Sequence, residues 1–175
     1  LYTVRNDVFK NVEATLQYLA KAGYQQIELF GFDGSKFFGK TPKEFKAIFD
    51  ANGLKAPSSH YYLPPVLYNG NKDLWKVTIE AAQTMGNQYM VIPWLDEKRR
   101  SAEDFKKLVG TINELAALTK DAGMKLAYHN HEFEFGKAED GKTFLQHLLD
   151  GTDKNMVDFE LDLYWVVYAG ENPLD

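Results

Sequence analysis

The chain has 175 residues, 45% hydrophobic and 26% charged, a composition that folds rather than one that stays disordered. Twenty Lys+Arg against 25 Asp+Glu leave a net charge of −5, which argues against nucleic-acid or anionic-membrane partners, since phosphate affinity comes from clustered basic side chains. With no cysteine, disulfides, thiol catalysis, iron–sulfur clusters and the usual structural zinc sites are excluded.

Leu1 to Val4 reads as a fragment of strand. A helix follows from about Asp7 to Ala22, with Val8, Val12, Leu16, Leu19 and Ala20 at helical spacing and Gly23 as its stop. Tyr24 to Leu29 is a short strand. Thr41-Pro42-Lys43-Glu44 starts a helix, with Thr at the cap, Pro at the first helical position and Glu three after the cap. That helix ends near Asn52-Gly53, and Leu54 to His60 is the next strand. A helix around Asp73 to Met85 leads to the strand Gln88 to Ile92, halted by Pro93. Ser101 caps a long helix whose apolar face includes Phe105, Leu108, Ile112 and Leu115; Gly123 ends it. Met124 to Asn130 is a strand, Thr143 to Leu149 a shorter helix, and Val157 to Leu163 the last strand.

Strands alternating with helices specify parallel pairing through helical crossovers, and no linker divides the series. Either an open doubly wound sheet or a (β/α)₈ TIM barrel answers that order. Side-chain parity separates them. Gln26 and Glu28 share one strand face, as do Ser58 and His60, His129 and His131, and Asp158, Glu160 and Asp162. An open α/β sheet, covered by helices on both sides, has apolar strands throughout. A one-sided polar stripe suits the inner face of a barrel, and no G-x-G-x-x-G follows any strand. The expectation is an α/β (β/α)₈ barrel. Six strands fall short of eight, typical examples run to about 250 residues, and Asn172 to Asp175 reads as the first turn of a helix. Residues 1–175 are therefore expected to be a single domain cut at both ends, with strands seven and eight missing.

Active sites of parallel barrels lie at the C-terminal ends of the strands. There stands Tyr128-His129-Asn130-His131-Glu132-Phe133-Glu134-Phe135, whose two histidines converge on one point and whose imidazoles suit a divalent transition metal. Asp162, atop the next strand, is a second candidate ligand. Glu160, a layer deeper, needs a partner and is read as holding an imidazole or water in place. A barrel also gathers Glu28, His60 and Trp94 from three earlier strand ends as substrate contacts, with the Trp94 ring suited to the C–H face of a sugar.

With these stretches go the opening Leu1-Tyr2-Thr3-Val4-Arg5, Gly23 to Glu28, Leu54 to His60, and Glu160-Leu161-Asp162-Leu163-Tyr164-Trp165. Together they resemble the sugar phosphate isomerase/epimerase-like family, the xylose isomerase-like TIM barrels that include endonuclease IV and inosose dehydratase. The resemblance implies a divalent metal (Mn, Zn, Co or Mg) and proton transfer on a sugar or polyol. Asp162 matches the family's sixth-strand ligand. The fifth-strand Glu of a Leu-Glu-Asn-His string is His129 here, and Trp165, assigned to substrate contact, replaces a common His. Glu134 is then the candidate replacement carboxylate and base, and His131 a donor to substrate oxygen. The leading expectation is a metal-dependent sugar isomerase or epimerase, acting beside a metal-polarised carbonyl. A lyase or dehydratase with the same enolate chemistry, or a non-catalytic carbohydrate-binding barrel, are the alternatives. The expected partner is a small sugar or polyol, with no nucleic acid and no membrane; a homo-oligomer is compatible with the sequence. The compartment is not readable from the sequence; cytoplasm is favoured, and periplasm is compatible if a signal peptide has been removed.

Overall fold

A computed structural model describes residues 1–174. Besides short 3₁₀ turns, the described residues form twelve helices and strands. They are α1 (Arg5–Lys10), α2 (Val12–Lys21), α3 (Pro42–Ala51), β1 (Ser58–His60), α4 (Pro64–Asn69), α5 (Lys72–Met85), β2 (Tyr89–Ile92), α6 (Ala102–Asp121), β3 (Lys125–His129), α7 (Phe144–Gly151), β4 (Val157–Glu160) and α8 (Leu163–Tyr168). The strands pair in chain order, β1-β2-β3-β4, all parallel. Residues 24–29 extend this sheet through two parallel bridges, Gln26 with Lys55 and Leu29 with Ser59.

The helix starts expected from Thr41 and Ser101 form with reciprocal capping: each side chain accepts from the backbone N–H three residues on, whose own side chain accepts from the cap. Thr143 does the same with Gln146. Other expectations need correction. Leu1 to Val4 is not strand: only the Leu1 amino group meets the sheet, donating to Glu28 O at 2.8 Å, and Tyr2–Val4 then winds into a 3₁₀ turn. The expected helix from Asp7 to Ala22 breaks at Asn11, where an extended backbone lets the side chain accept from Ala14 N. Asparagine competes for backbone hydrogen bonds and is more stable capping a helix than inside one. The last strand stops at Glu160 rather than Leu163, because Asp162 caps α8. Where a first helix turn is expected at 172–175, Pro173 and Leu174 lie in a turn and Asn172 Oδ1 accepts from Leu174 N at 3.2 Å; Asp175 lies outside the described residues.

Parallel register assigns the faces. Ser59, Met90, Ile92, Leu126, Tyr128 and Val157 point to one side, and all are buried against the helices. His60, Val91, Ala127, His129, Asp158 and Glu160 point to the other. In a flat sheet β1 and β4 lie about 14 Å apart. Here His60 Nε2 is 2.9 Å from Glu160 Oε2 across that interval. Only a sheet curled toward its polar face can close such a gap. The fold is an incomplete TIM barrel with its helices outside.

Candidate active site at the barrel mouth

A cleft of about 830 Å³ opens over the C-terminal ends of the strands. Glu28, His60, Trp94, His129, His131, Asp162 and Trp165 all line it. They come from five successive strand ends, so the curl of the sheet brings them together.

Beneath the cleft runs a line of acid–imidazole contacts. Ser58 Oγ donates to Glu28 Oε2 at 2.7 Å, and Glu28 Oε1 lies 3.1 Å from His60 Nε2. One oxygen of Glu160, Oε2, accepts from both His60 Nε2 (2.9 Å) and His129 Nδ1 (2.7 Å). Burial alone would lower the His60 imidazole, but its bonds to Glu160 and Glu28 outweigh burial and raise it to about 9. Burial likewise pushes the Glu160 carboxyl up, and the two imidazoles more than reverse this, holding it well below the usual carboxylate range.

With Nδ1 engaged by Glu160, His129 turns Nε2 toward Asp162, whose Oδ2 is 3.7 Å away. The other Asp162 oxygen accepts from Tyr164 N at 2.9 Å, fixing the carboxylate at the start of α8. A carboxylate behind the imidazole, with the second nitrogen facing another carboxylate, is a donor set that fits a divalent metal. His60, His129 and Glu160 also offer three donor atoms within 4.8 Å of one another, a second group that could hold an ion.

Aromatic rings wall the rest. His131 sits between Trp94 (ring centroids 4.8 Å) and Trp165 (5.1 Å), with His129 at 5.0 Å. Burial, then the neighbouring His129, lowers its imidazole to about 4, so the ring is neutral at physiological pH. Arg100 braces this wall. It donates to Leu95 O at 2.8 and 3.2 Å while its guanidinium lies over Phe133 (3.5 Å) and Trp94 (4.5 Å).

Glu134 does not reach the cleft, contrary to the expectation that it supplies the base. It is 0% exposed, and its carboxylate accepts from Tyr128 OH and from His131 N, both at 2.7 Å. Burial raises its carboxyl above the usual range, opposed by those two bonds. Its work is to hold the loop that carries His131. Asn130 was absent from the expected site. Its side chain accepts from Asp162 N (2.7 Å) and donates to Asp162 O (3.3 Å), clamping the two strand ends together. Arg5, Tyr62 and Glu132 also line the cleft without being among the expected site residues, although Arg5 and Glu132 fall in stretches the sequence singles out; Ser58, which shares a face with His60, bonds Glu28 beneath.

A family model described as xylose isomerase-like TIM barrel matches residues 16–175. The chain belongs to that family. Inosose dehydratase from Clostridium botulinum (strain Alaska E43 / Type E3) is 25% identical over 169 residues, covering 86% of this chain and 56% of that protein. The same enzyme from Clostridium perfringens (strain ATCC 13124) is 27% identical with the same coverage. The chain therefore spans little more than half the length of these relatives. Among solved structures, a sugar phosphate isomerase/epimerase from Parabacteroides distasonis ATCC 8503 superposes with a TM-score of 0.85 at 28% identity, over 99% of this chain and 67% of that one.

Proposed function

We propose that this chain carries part of the active site of a metal-dependent sugar- or polyol-modifying enzyme that moves a carbon-bound proton next to a carbonyl. The observation that carries the reading is His129, backed by Glu160 at Nδ1 and facing Asp162 through Nε2 across 3.7 Å. His129 Nε2 and Asp162 Oδ2 would hold the ion. When bound, a divalent metal would polarise a substrate carbonyl and the adjacent hydroxyl, acidifying the C–H between them.

The chain's own groups hold the ion and position the substrate. Glu160 keeps the proton on His129 Nδ1, leaving Nε2 as a lone-pair donor. Trp94 and Trp165 exclude water and offer flat apolar faces to the C–H side of a ring. His131, neutral and in the same wall, hydrogen-bonds a substrate oxygen. Glu28 and His60, which also line the cleft, contact hydroxyls. An isomerase or epimerase is the leading reading, supported by the likeness to the Parabacteroides distasonis structure. A dehydratase, which loses water after the same proton abstraction, is the second reading, favoured by the two inosose dehydratases.

Metal analysis of the full-length protein tests the assignment. Asp162→Asn and His129→Ala should each lose most bound metal, because an amide removes the charge that offsets a dication and alanine removes a donor outright. His60→Gln should keep its metal. If His60→Gln loses the ion and Asp162→Asn keeps it, the site is instead the His60–His129–Glu160 group.

A further inference from the structure

The carboxylates around the cleft differ in what satisfies them. Glu28 is engaged by Ser58 and His60, Glu160 by two imidazoles, Asp162 by Tyr164 N, and Glu134 by Tyr128 and the His131 backbone. Glu132 is the exception. Its side chain lines the cleft, yet its Oε2 is closed off from solvent with no hydrogen-bond partner among the described residues. Nδ1 of the adjacent His131 is in the same condition. A carboxylate oxygen and an imidazole nitrogen out of water with nothing bonded to them destabilise the fold. Groups left this way in a cleft find their partners on a ligand.

We propose that Glu132 is a substrate-binding carboxylate that, with His131, takes neighbouring hydroxyls of an uncharged polyol or keto-sugar. An acceptor without protons of its own suits hydroxyl donors, and the imidazole beside it can donate or accept. The indoles of Trp94 and Trp165 flank His131 and supply the apolar face that such a ring needs. The lining charge is mixed, because the His60 imidazole between its two carboxylates is cationic at neutral pH. Arg5 is its one Lys or Arg lining side chain among the described residues, against Glu28, Glu132 and Asp162. Arg5 is itself turned over the Tyr2 ring, donating to Tyr2 O at 3.3 Å. Glu132 makes no ion pair among the described residues, so at its own position a hydroxyl is preferred to a phosphate oxygen. This inference rests on reading the cleft as a sugar site.

Calorimetric titration of the metal-loaded full-length protein tests it, with a panel of neutral keto-sugars and 2-keto-myo-inositol as probes, each beside a phosphorylated counterpart. For the tightest neutral binder, Glu132→Gln should raise Kd about tenfold or more, the loss expected when a charged hydrogen-bond acceptor goes. The same variant should narrow the preference for the neutral sugar over its phosphate. Glu132→Asp, which keeps the charge but shortens the reach, should weaken binding while preserving that preference. Both variants should melt at or above the wild-type temperature, since they relieve or leave unchanged an unpaired carboxylate. Unchanged affinity and preference in Glu132→Gln, or a melting temperature lowered by several degrees, overturns the assignment of Glu132 alone. If no neutral sugar binds the wild type, the sugar-site reading falls and this inference with it.

Discussion

Each histidine of the cleft takes its character from what its ring touches. His60 lies between two carboxylates and is raised to about 9. Its unfolded-state value is near 6.5, so the charged imidazole contributes its full stability below about pH 6.5 and loses it as the pH rises through about 9. Metal-free protein should therefore show a melting temperature that falls across that window, and His60→Gln should flatten the fall. An equal slope in the variant would mean that another group titrates there. Glu134 is the opposite case, a buried acid whose two acceptor contacts hold Tyr128 and the His131 loop. Glu134→Gln turns an amide N–H toward one of two donors and should destabilise the fold by about 1–3 kcal/mol in thermal or urea unfolding. Lost turnover with unchanged stability would instead restore it as a base. Sequence spacing could not separate Glu132 from Glu134. Both follow the histidines by a few residues, and the 3₁₀ turn at Phe133–Phe135, which sends one to the cleft and the other beneath it, leaves no period to read.

At the scale of elements, helix starts were the most legible feature, because a cap and its partner three residues on are local chemistry. The boxes at Thr41 and Ser101 form as the sequence implies. The helix α4 was not expected, although Pro64 and Pro65 occupy its first turn, where a missing N–H has no cost. Strand ends were harder to read. β3 finishes at His129, one residue before the expected Asn130, and β4 at Glu160, three before Leu163, where Asp162 caps α8 and is clamped by Asn130. That pair is 32 residues apart in sequence and leaves no local trace. Asn130→Ala would strand the Asp162 N–H and C=O in a place where Asn130 is only 2% exposed. It should cost about 1–3 kcal/mol of stability and weaken metal binding by loosening the Asp162 loop. Stability lost without any change in metal affinity would separate the clamp from the site.

For the whole molecule, the legible signal was alternation. A period of two assigns a face without any knowledge of partners, so the polar stripe of Glu28, His60, His129 and Glu160 could be read as one inner surface. Which side chains meet across that surface depends on how tightly the sheet curls, and curl is not written in any single strand. The contact of His60 with Glu160, from the two outer strands of β1–β4, expresses that curl directly. The same curvature turns scattered polar residues into a cleft walled by Trp94, His131 and Trp165, with His129 and Asp162 facing each other at its floor. Proton transfer beside a carbonyl is the chemistry this arrangement is proposed to serve. The most direct measurement incubates the full-length protein with Mn²⁺ and a panel of keto-sugars and keto-inositols in D₂O and follows deuterium at the carbon next to the carbonyl. The account predicts metal-dependent deuterium uptake in at least one substrate, abolished by Asp162→Asn, with water loss marking a dehydratase and its absence an isomerase or epimerase. No exchange and no turnover across the panel, in protein shown to hold stoichiometric metal, would contradict it.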